Sequence, residues 1–443
     1  MSQSRTAPAA PPGPAAGTPL PAAMAAAAGA AAGLRQGLPV GVLLPPLVLP
    51  GAGTPRYVLS SAAGRWLLLA CLPSAEQAAP LEAAIGPLRA RFDDLFATLF
   101  VLTARPEDLA EGRLRDQLPG IRILADAGGA AAATLGFAPQ EGGLLLLDPM
   151  LRVIAAAPLA RAQALVRLLR GLPPPALHAG VELPAPVLLL PRLLEPALCR
   201  ELILSHGTLG AAPSGFMRED EQGRTVLVQD PGHKRRSDVT LQDPALLARL
   251  RARISARLVP VLRQAFQFEA TRIERYIVGA YDAAEGGHFR AHRDNTTAGT
   301  AHRRFAVSVN LNAGEYEGGE LVFPEFGPRR YSAPAGGAVV FSCSLLHAVT
   351  PVTKGCRYAF LPFLYDEAAA ALRERNRHRV AGQGAPPPGP TLEPRGLCPL
   401  DPRPGDSIPP DPAFRWEVQK PQVSGGGSLK GARPPSARRK RPP

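Results

Sequence analysis

Short apolar runs alternate with segments of helical periodicity over residues 37–171. Residues 65–71 (RWLLLAC) and 96–103 (FATLFVLT) are nearly continuous in apolar side chains, which is typical of strands buried on both faces. Residues 75–95 space their apolar positions as one amphipathic helix does. The same reasoning predicts two further strands and a last helix, at 121–125, 144–147 and 159–169. This alternation predicts an α/β layer fold for the first half of the chain.

A different pattern begins near residue 183. Two segments with helical periodicity come first, at 196–206 and 244–266. After residue 271 the chain becomes a succession of short apolar segments separated by Gly and Pro, which predicts an antiparallel sandwich or jelly roll. The predicted strands are 274–280, 305–312, 319–323, 338–341 and 358–364. The expected fold class is therefore α/β plus mostly-β.

Low-complexity segments surround these two regions. Residues 1–36 are rich in Ala, Pro and Gly, and we expect them to be disordered. The first domain is predicted at 37–173 and the second at 183–368, joined by a linker at 174–182; three consecutive prolines, 173–175, mark its start. Residues 369–443 become charged and then Pro/Gly/Ser-rich, which predicts a disordered tail.

Charge and cysteine content narrow the class of protein. The formal charge is +13, and residues 373–443 carry fourteen Lys/Arg against six Asp/Glu. The folded part is therefore only mildly basic, and nucleic acid is not an expected partner apart from weak contacts of the basic tail. The five cysteines are scattered without CxxC spacing, which indicates a reducing compartment. Because no run of about 18 strongly apolar residues occurs, we predict a cytoplasmic protein without a membrane partner.

Candidate chemistry is concentrated in two segments of the second half. His292 and Asp294 are two positions apart, so in an extended segment their side chains project on the same face. A third ligand is available at His347 in the segment GGAVVFSCSLLHAVTP, which covers 336–351. Two imidazoles and one carboxylate on one face of a metal leave open positions, an arrangement suited to Fe(II) that also binds a cosubstrate and O2.

Arg357 stands ten positions after His347. Its guanidinium is a permanent planar cation that pairs bidentately with carboxylates, which suits a dicarboxylate cosubstrate. An arginine in an apolar strand is more often paired with a structural acid, and an isolated HxD usually has no function. The evidence for a metal and cosubstrate site is therefore the occurrence of the HxD, the distal histidine and the arginine in this order within a β-rich domain.

The combined motifs resemble the prolyl 4-hydroxylase-like branch of the 2-oxoglutarate/Fe(II) oxygenases over residues 183–367. The shared features are the HxD at 292–294, Asn-Leu-Asn at 310–312, EGGELVFP at 317–324, a Gly-Gly turn at 336–337 and the basic residue ten positions after the distal histidine. The resemblance implies a double-stranded β-helix, or jelly roll, with flanking helices.

By the same resemblance, His292, Asp294 and His347 are the metal ligands and catalytic residues. Arg357 is placed like the residue that binds the distal carboxylate of 2-oxoglutarate, and Tyr281 like a tyrosine that lines the cosubstrate pocket. Relatives often carry a tyrosine where this chain has Asn310, whose shorter side chain is expected to hydrogen-bond to the cosubstrate, directly or through water.

The implied cofactors are Fe(II), 2-oxoglutarate as cosubstrate and O2, with ascorbate as reductant. The implied reaction hydroxylates an unactivated C–H of a peptidyl residue, proline being one candidate, and releases succinate and CO2. Halogenating relatives have a small residue at the position of Asp294, so its presence favours hydroxylation. Hydroxylation of a free amino acid or small metabolite is the alternative, and a module that binds ligands without turnover is another.

Residues 37–171 resemble the peroxiredoxin version of the thioredoxin fold. A peroxidatic thiolate would stand at the start of the first long helix, but the sequence there, CLPSAEQAAP at 71–80, has alanines instead. We interpret Cys71 as a core residue and the domain as redox-inactive, with partner binding, substrate presentation or dimerisation as its possible roles. A peroxiredoxin-type thiol redox protein is the less favoured alternative function.

Overall fold

The apolar runs of the first half form the central strands of a seven-stranded sheet in the computed structural model, which describes residues 37–381 and 391–392. The strands are β1 (Val48–Gly51), β2 (Thr54–Val58), β3 (Trp66–Leu72), β4 (Ala97–Thr103), β5 (Ile121–Ala125), β6 (Gly143–Leu147) and β7 (Val153–Ala157). Their spatial order is β2-β1-β5-β4-β3-β6-β7. The pairs β3–β4 and β4–β5 are parallel and the others are antiparallel. The helices of this half are α1 (Ala79–Ile85), α2 (Glu107–Ala110), α3 (Ala130–Thr134) and α4 (Ala162–Arg170).

Strand β3 is apolar throughout because both faces of the sheet are covered. Its side chains alternate between two different cores. The first core contains Trp66, Leu68, Ala70 and Leu72, and the second contains Leu67, Leu69 and Cys71. The first core is completed by residues of α1 and α4. The second contains residues of α3 together with Leu346 from the second half of the chain. The sheet is thus covered by α1 and α4 on one face, and by α3 together with Leu346 of the second half of the chain on the other.

The prediction of a single helix at 75–95 is wrong. The segment consists of a 3-10 turn (Ala75–Gln77), helix α1 and a second 3-10 segment (Gly86–Arg91). Pro87 follows Gly86 and has no amide hydrogen to continue the α-helical ladder, which ends α1 there.

The second half of the chain is dominated by short antiparallel strands. They are β8 (Val187–Leu190), β9 (Ala212–Pro213), β10 (Phe216–Glu219), β11 (Thr225–Val228), β12 (Lys234–Arg235), β13 (Ser237–Thr240), β14 (Arg272–Glu274), β15 (Ile277–Asp282), β16 (His288–His292), β17 (Phe305–Asn310), β18 (Glu317–Gly318), β19 (Leu321–Val322), β20 (Arg330–Tyr331), β21 (Ala338–Ser342), β22 (His347–Val349), β23 (Val352–Lys354), β24 (Cys356–Phe360) and β25 (Phe363–Tyr365). The helices are α5 (Pro196–Thr208), α6 (Pro244–Arg253), α7 (Val259–Phe266) and α8 (Glu367–Arg375).

Two of the sheets in this half form the jelly roll. The larger has the order β14-β25-β17-β24-β15-β13-β9, with β21 pairing to β17 and β8, and the smaller has the order β12-β16-β22-β19-β20. Side chains from both sheets share one core, in which Tyr281 and Phe341 of the larger sheet meet Phe289 and Val349 of the smaller. The other face of the larger sheet packs against α5, α6 and α7. The predicted fold class, α/β followed by a β-rich jelly roll, is confirmed.

Local irregularities interrupt several predicted elements. The helix predicted at 244–266 is present as α6 and α7, joined by a π-helical turn (Ile254–Leu258). Pro260 lies at the start of α7 and cannot donate the backbone hydrogen bond that an unbroken α-helix needs. The strand predicted at 274–280 is split into β14 and β15, and that at 358–364 into β24 and β25.

The disordered tail predicted from residue 369 begins too early, because α8 covers Glu367–Arg375. The Asp366 carboxylate accepts a hydrogen bond from the Ala369 amide at 2.8 Å, which caps the helix, and Glu367 pairs with Arg272 at 2.7 Å. The disorder predicted for 1–36 and for the rest of the tail, 382–390 and 393–443, lies outside the described residues. The predicted domain boundaries stay predictions. Within the described ranges, none of the helices has the length and apolar character that a membrane span requires.

Candidate metal centre

Two antiparallel neighbours in the smaller jelly-roll sheet bring the three predicted ligands together. His292 ends β16 and lies opposite His347, the first residue of β22. Asp294 follows two positions later, where the chain has left the strand. One ligand atom from each residue lies within 4.8 Å of the other two. The Nε2 atoms of His292 and His347 are 3.6 and 3.4 Å from the Asp294 carboxylate oxygens.

Backbone carbonyls fix the orientation of both imidazoles. Nδ1 of His292 lies 2.8 Å from the carbonyl oxygen of Arg290, and Nδ1 of His347 lies 3.0 Å from that of Leu345. A carbonyl oxygen can only accept, so each Nδ1 carries the hydrogen and donates it. The lone pair of each Nε2 is therefore directed at the point that Asp294 also faces, as in metal sites whose histidines are held by a second hydrogen bond.

The surroundings of the triad favour the protonation states that bind a cation. Burial, reinforced by His292, lowers the pKa of His347 to about 4. Burial alone would raise the pKa of Asp294, but the two histidines and Arg303 hold it well below its usual range. Aromatic rings pack on both imidazoles, with Phe289 stacked on His292 at a centroid distance of 3.5 Å. At neutral pH His347 is neutral and Asp294 is ionised, the forms that coordinate metals.

Arg357 lies beside Tyr281 on the larger sheet, because the two residues are directly opposite in the β15–β24 pairing. The guanidinium is 3% exposed, and its carbon lies 5.3 Å from the centroid of the Tyr281 ring. Nη2 donates to Ser308 Oγ at 2.9 Å, whereas Nη1 is buried and has no hydrogen-bond partner among the described residues. Across residues 37–381 and 391–392, no carboxylate lies within 4.0 Å of this guanidinium. Arg357 is therefore not the structural ion pair that a buried arginine usually forms.

Asn310 contacts Arg357 and the backbone. Its Oδ1 accepts a hydrogen bond from Arg357 Nε at 3.2 Å, and its Nδ2 donates to the carbonyl oxygen of Ala333 at 2.7 Å and to Ser332 Oγ at 3.0 Å. Both ends of the amide are thus engaged within the protein. The residue holds the guanidinium in place, whereas the contact with the cosubstrate expected from the sequence stays a prediction.

The triad, Tyr281 and Arg357 line a single cavity of about 390 Å³. Residues 53–58, which are the end of the turn after β1 and strand β2 of the β1–β2 hairpin, line the same cavity from the first half of the chain. Arg56 of this hairpin pairs with Glu219 of β10 at 2.7 Å. The cavity is therefore built by both halves, which the sequence did not indicate.

The first half also packs against the segments that carry the ligands. Leu346, which precedes His347, is fully buried in the second core of the seven-stranded sheet, and Ala291, which precedes His292, packs against that core. Arg293, between the other two ligands, donates from Nη2 to the carbonyl oxygen of Ser60 at 3.1 Å and to Glu325 at 2.8 Å. The α/β layer is thus part of the structure that positions the triad.

Several basic residues at the cavity escaped the sequence analysis. Lys234, Arg236, Arg275 and Arg303 line it together with Arg357. His302 is followed by two arginines in the sequence, which suggests a surface position. In the structure this histidine is only 2% exposed. Its Nε2 lies 2.7 Å from the Glu274 carboxylate, which also accepts from Arg303. No local motif marks these residues, because they come from separate strands and loops.

The donor set fits a ferrous ion and 2-oxoglutarate. Two imidazole nitrogens and one carboxylate are the ligands preferred at non-haem Fe(II) centres with open positions. The unpartnered Arg357 Nη1 suits the distal carboxylate of a dicarboxylate cosubstrate. A thiol redox site is not supported at Cys71, because the residue is buried in β3 and burial raises the pKa of its thiol.

Sequence comparison finds relatives that match part of this chain. A PKHD-type hydroxylase from Thioalkalivibrio sulfidiphilus (strain HL-EbGR7) is 39% identical over 117 residues, which cover 25% of this chain and 52% of that protein. A PKHD-type hydroxylase from Cupriavidus metallidurans is 40% identical over 95 residues, covering 19% of this chain and 42% of that protein. The chain thus spans about half the length of these curated relatives.

Solved structures include neighbours of both halves. The viral collagen prolyl hydroxylase vCPH from Paramecium Bursaria Chlorella virus-1 is 17% identical with a TM-score of 0.31, covering 40% of this chain and 94% of that chain. Peroxidoxin BcpB from Mycobacterium tuberculosis is 18% identical with a TM-score of 0.26, covering 30% of this chain and 97% of that chain. Residues 275–365 match the family model of the 2OG-Fe(II) oxygenase superfamily, which confirms for this segment the resemblance that the motifs predicted.

Proposed function

We propose that this chain is a 2-oxoglutarate- and Fe(II)-dependent dioxygenase that hydroxylates an unactivated C–H bond. The observation that carries the proposal is the presence, in one cavity, of a His/Asp/His triad and a buried arginine that pairs with no carboxylate of the described chain. A three-ligand site alone would suit many metalloproteins. Arg357 adds the feature that a dicarboxylate cosubstrate requires, because an unneutralised buried cation is costly until an anion pairs with it.

Each residue then has a distinct role. His292, Asp294 and His347 hold the ferrous ion through Nε2, one carboxylate oxygen and Nε2. Arg357 binds the distal carboxylate of 2-oxoglutarate through Nη1, and Tyr281 forms the adjacent wall. We propose that Asn310 orients Arg357, because Asn310 Oδ1 accepts a hydrogen bond from Arg357 Nε.

The metal and cosubstrate supply the oxidising chemistry: with O2, 2-oxoglutarate becomes succinate and CO2, and one oxygen atom enters a C–H bond of the substrate. The protein contributes positioning and exclusion of water. Phe289 and Phe341 cover the two imidazoles, with centroid distances of 3.5 Å to His292 and 4.6 Å to His347. This apolar cover keeps the reacting centre dry, while the triad and Arg357 fix the cosubstrate at two points.

For the substrate, we propose a peptidyl residue, with proline as one candidate. Support comes from the motif resemblance and from the relatives of this chain, which are named PKHD-type hydroxylases. A free amino acid or small metabolite is the alternative substrate class. Residues 53–58 line the cavity, and we propose that this wall takes part in selecting between the two substrate classes.

We further propose that residues 37–173 form a thioredoxin-like domain joined through 174–182 to the oxygenase domain at 183–368. The buried thiol of Cys71 argues against a peroxidase role. Packing of Leu346 and Ala291 against this domain supports a role in holding the metal centre and bounding the cavity. We also propose that this domain can mediate dimerisation.

For the location of the protein, we propose the cytoplasm. The four described cysteines are all free thiols, which agrees with a reducing compartment.

The direct test is turnover of 2-oxoglutarate by the full chain with Fe(II), ascorbate and O2. We expect succinate and CO2 in equal amounts, and their loss in His347→Ala. The matched control is His378→Ala, which removes an exposed histidine of the 3-10 turn Arg377–Arg379. Iron-independent peroxide consumption would instead support the thiol redox function. Tight binding of Fe(II) and 2-oxoglutarate without any turnover would support a binding module.

A further inference from the structure

The cavity wall contains more positive charge than the metal and cosubstrate account for. Eight lysine and arginine residues line it, namely Arg56, Arg218, Lys234, Arg236, Arg275, Arg293, Arg303 and Arg357, against the acidic residues Glu219 and Asp294. An arginine cannot shed its proton to escape burial, so each buried guanidinium needs a compensating partner. A cation that already has a partner within the protein needs no ligand, and a cation without one is a candidate binding site.

Four of the arginines have carboxylate partners. Arg56 pairs with Glu219, Arg236 with Asp238, Arg293 with Glu325 and Arg303 with Glu274, at distances between 2.5 and 2.8 Å. Lys234 has no acid within 4.0 Å in the described chain, but its Nζ donates to Ser214 Oγ at 2.6 Å and to the carbonyl oxygen of Gly215 at 2.7 Å. Arg218 is exposed to solvent. A buried lysine, unlike an arginine, can lose its proton, so none of these six residues requires a ligand.

Arg357 and Arg275 are the two that remain. Arg275 makes no side-chain hydrogen bond and no ion pair in the part of the chain that the structure describes, and its Nε is buried without a partner. The adjacent carboxylate, Glu274, is already occupied by His302 and Arg303. The guanidinium of Arg275 rests on the ring of Phe363, 4.7 Å from its centroid, an apolar support that does not neutralise charge.

The backbone at Arg275 is also unusual. Its φ of +66° places a non-glycine residue in the left-handed region, at the break between β14 and β15. Such a conformation costs on the order of 1–2 kcal/mol and is found preferentially at functional sites. The opposite strand is broken at the same level, where Leu361 and Pro362 separate β24 from β25 and line the cavity. The local fold thus holds Arg275 in the cavity wall at an energetic cost.

We propose that Arg275 is a second anion site in this cavity, distinct from the cosubstrate site at Arg357, and that it binds a carboxylate of the substrate. The proposal rests on the proposed function, because Arg357 is taken by 2-oxoglutarate. A carboxylate fits better than a phosphate, because one guanidinium neutralises the single charge of a carboxylate but only half the charge of a phosphate dianion. The substrate is therefore an acid, either a free small molecule or a peptide with an acidic side chain near the reacting carbon.

The test uses the full chain loaded with Mn(II), in place of Fe(II), and saturated with 2-oxoglutarate. Acetate is the probe, and paramagnetic relaxation of its methyl protons by the bound Mn(II) reports both binding and proximity to the triad. We expect saturable relaxation of acetate and none of the neutral analogue acetamide. Arg275→Gln should weaken acetate binding about tenfold or more, as expected for loss of a charge-assisted hydrogen bond. Arg275→Lys should restore part of the affinity.

The controls separate this proposal from the proposed function. Arg263→Gln removes an exposed arginine, paired with Glu269 at 3.4 Å, and should leave acetate binding unchanged. Failure of the wild type to bind Mn(II) or 2-oxoglutarate would count against the proposed function. If Arg275→Gln retains 2-oxoglutarate binding and also binds acetate as the wild type does, Arg275 is only a structural residue and the proposal is overturned.

Displacement identifies the source of the carboxylate. Glutamate represents a free acid, and a blocked tripeptide with one internal glutamate (acetyl-Ala-Glu-Ala-amide) represents an acidic peptide. Displacement of acetate by either probe supports the proposal, and the probe effective at the lower concentration gives the substrate class. If neither probe displaces bound acetate, the site does not admit a substrate and the assignment is wrong.

Discussion

Removal of the Arg357 guanidinium is the sharpest perturbation of the proposed cosubstrate site. In the structure Nε and Nη2 are used by Asn310 and Ser308, and Nη1 is free for the ligand. One charge-assisted hydrogen bond contributes about 1.5–3 kcal/mol, and each 1.4 kcal/mol changes an affinity about tenfold. Arg357→Gln should therefore raise the dissociation constant of 2-oxoglutarate about 10- to 150-fold, while affinity for the metal changes little.

Isothermal titration of 2-oxoglutarate into Mn(II)-loaded protein measures this directly. Arg357→Lys keeps the charge without the planar fork and should give an intermediate loss. Arg263→Gln, an exposed arginine on α7, serves as the matched control. Thermal unfolding of each variant checks that the fold is retained. A dissociation constant for Arg357→Gln within about twofold of the wild type, with the fold intact, would refute the assignment of Arg357.

Three further predictions concern the metal, the packing and the pH dependence. His292→Ala should abolish Mn(II) binding in equilibrium dialysis, whereas exposed His378→Ala should retain it. Leu346→Ala removes a fully buried side chain and should lower the free energy of unfolding by about 2–5 kcal/mol in urea titrations; an unchanged midpoint would contradict its packing against the seven-stranded sheet. Burial and Arg236 lower the pKa of Lys234 to about 6. Because the unfolded chain then binds more protons between about pH 6 and pH 10, the wild type should gain stability relative to Lys234→Met as the pH rises through this range. Equal slopes would show that Lys234 keeps its ordinary pKa.

The elements that the sequence predicts best are those whose pattern reflects burial on both faces or a chemical motif. Strand β3 is an example, because seven consecutive apolar residues can only be accommodated where both faces of a sheet are covered. The triad is another. His292 and Asp294 are close in sequence, and the resemblance supplied His347, so their convergence did not require knowledge of the tertiary structure.

Features that depend on tertiary contacts between distant segments were not predictable. Leu346 is an ordinary apolar residue in the sequence, yet it packs into the core of the first sheet. In the sequence Arg275 resembles any surface arginine, but the structure places it in the cavity wall, where no described residue hydrogen-bonds to it or forms an ion pair with it. The hairpin at 53–58 carries no motif at all, and its position on the cavity wall follows only from how the two halves pack.

Diffraction from crystals of the full chain grown anaerobically with Mn(II) and 2-oxoglutarate would locate both ligands. We expect one anomalous scatterer coordinated by His292 Nε2, an Asp294 oxygen and His347 Nε2, with the distal carboxylate of 2-oxoglutarate on Arg357 Nη1. A metal bound elsewhere, or 2-oxoglutarate that contacts the triad but leaves Arg357 without an anion, would contradict this expectation.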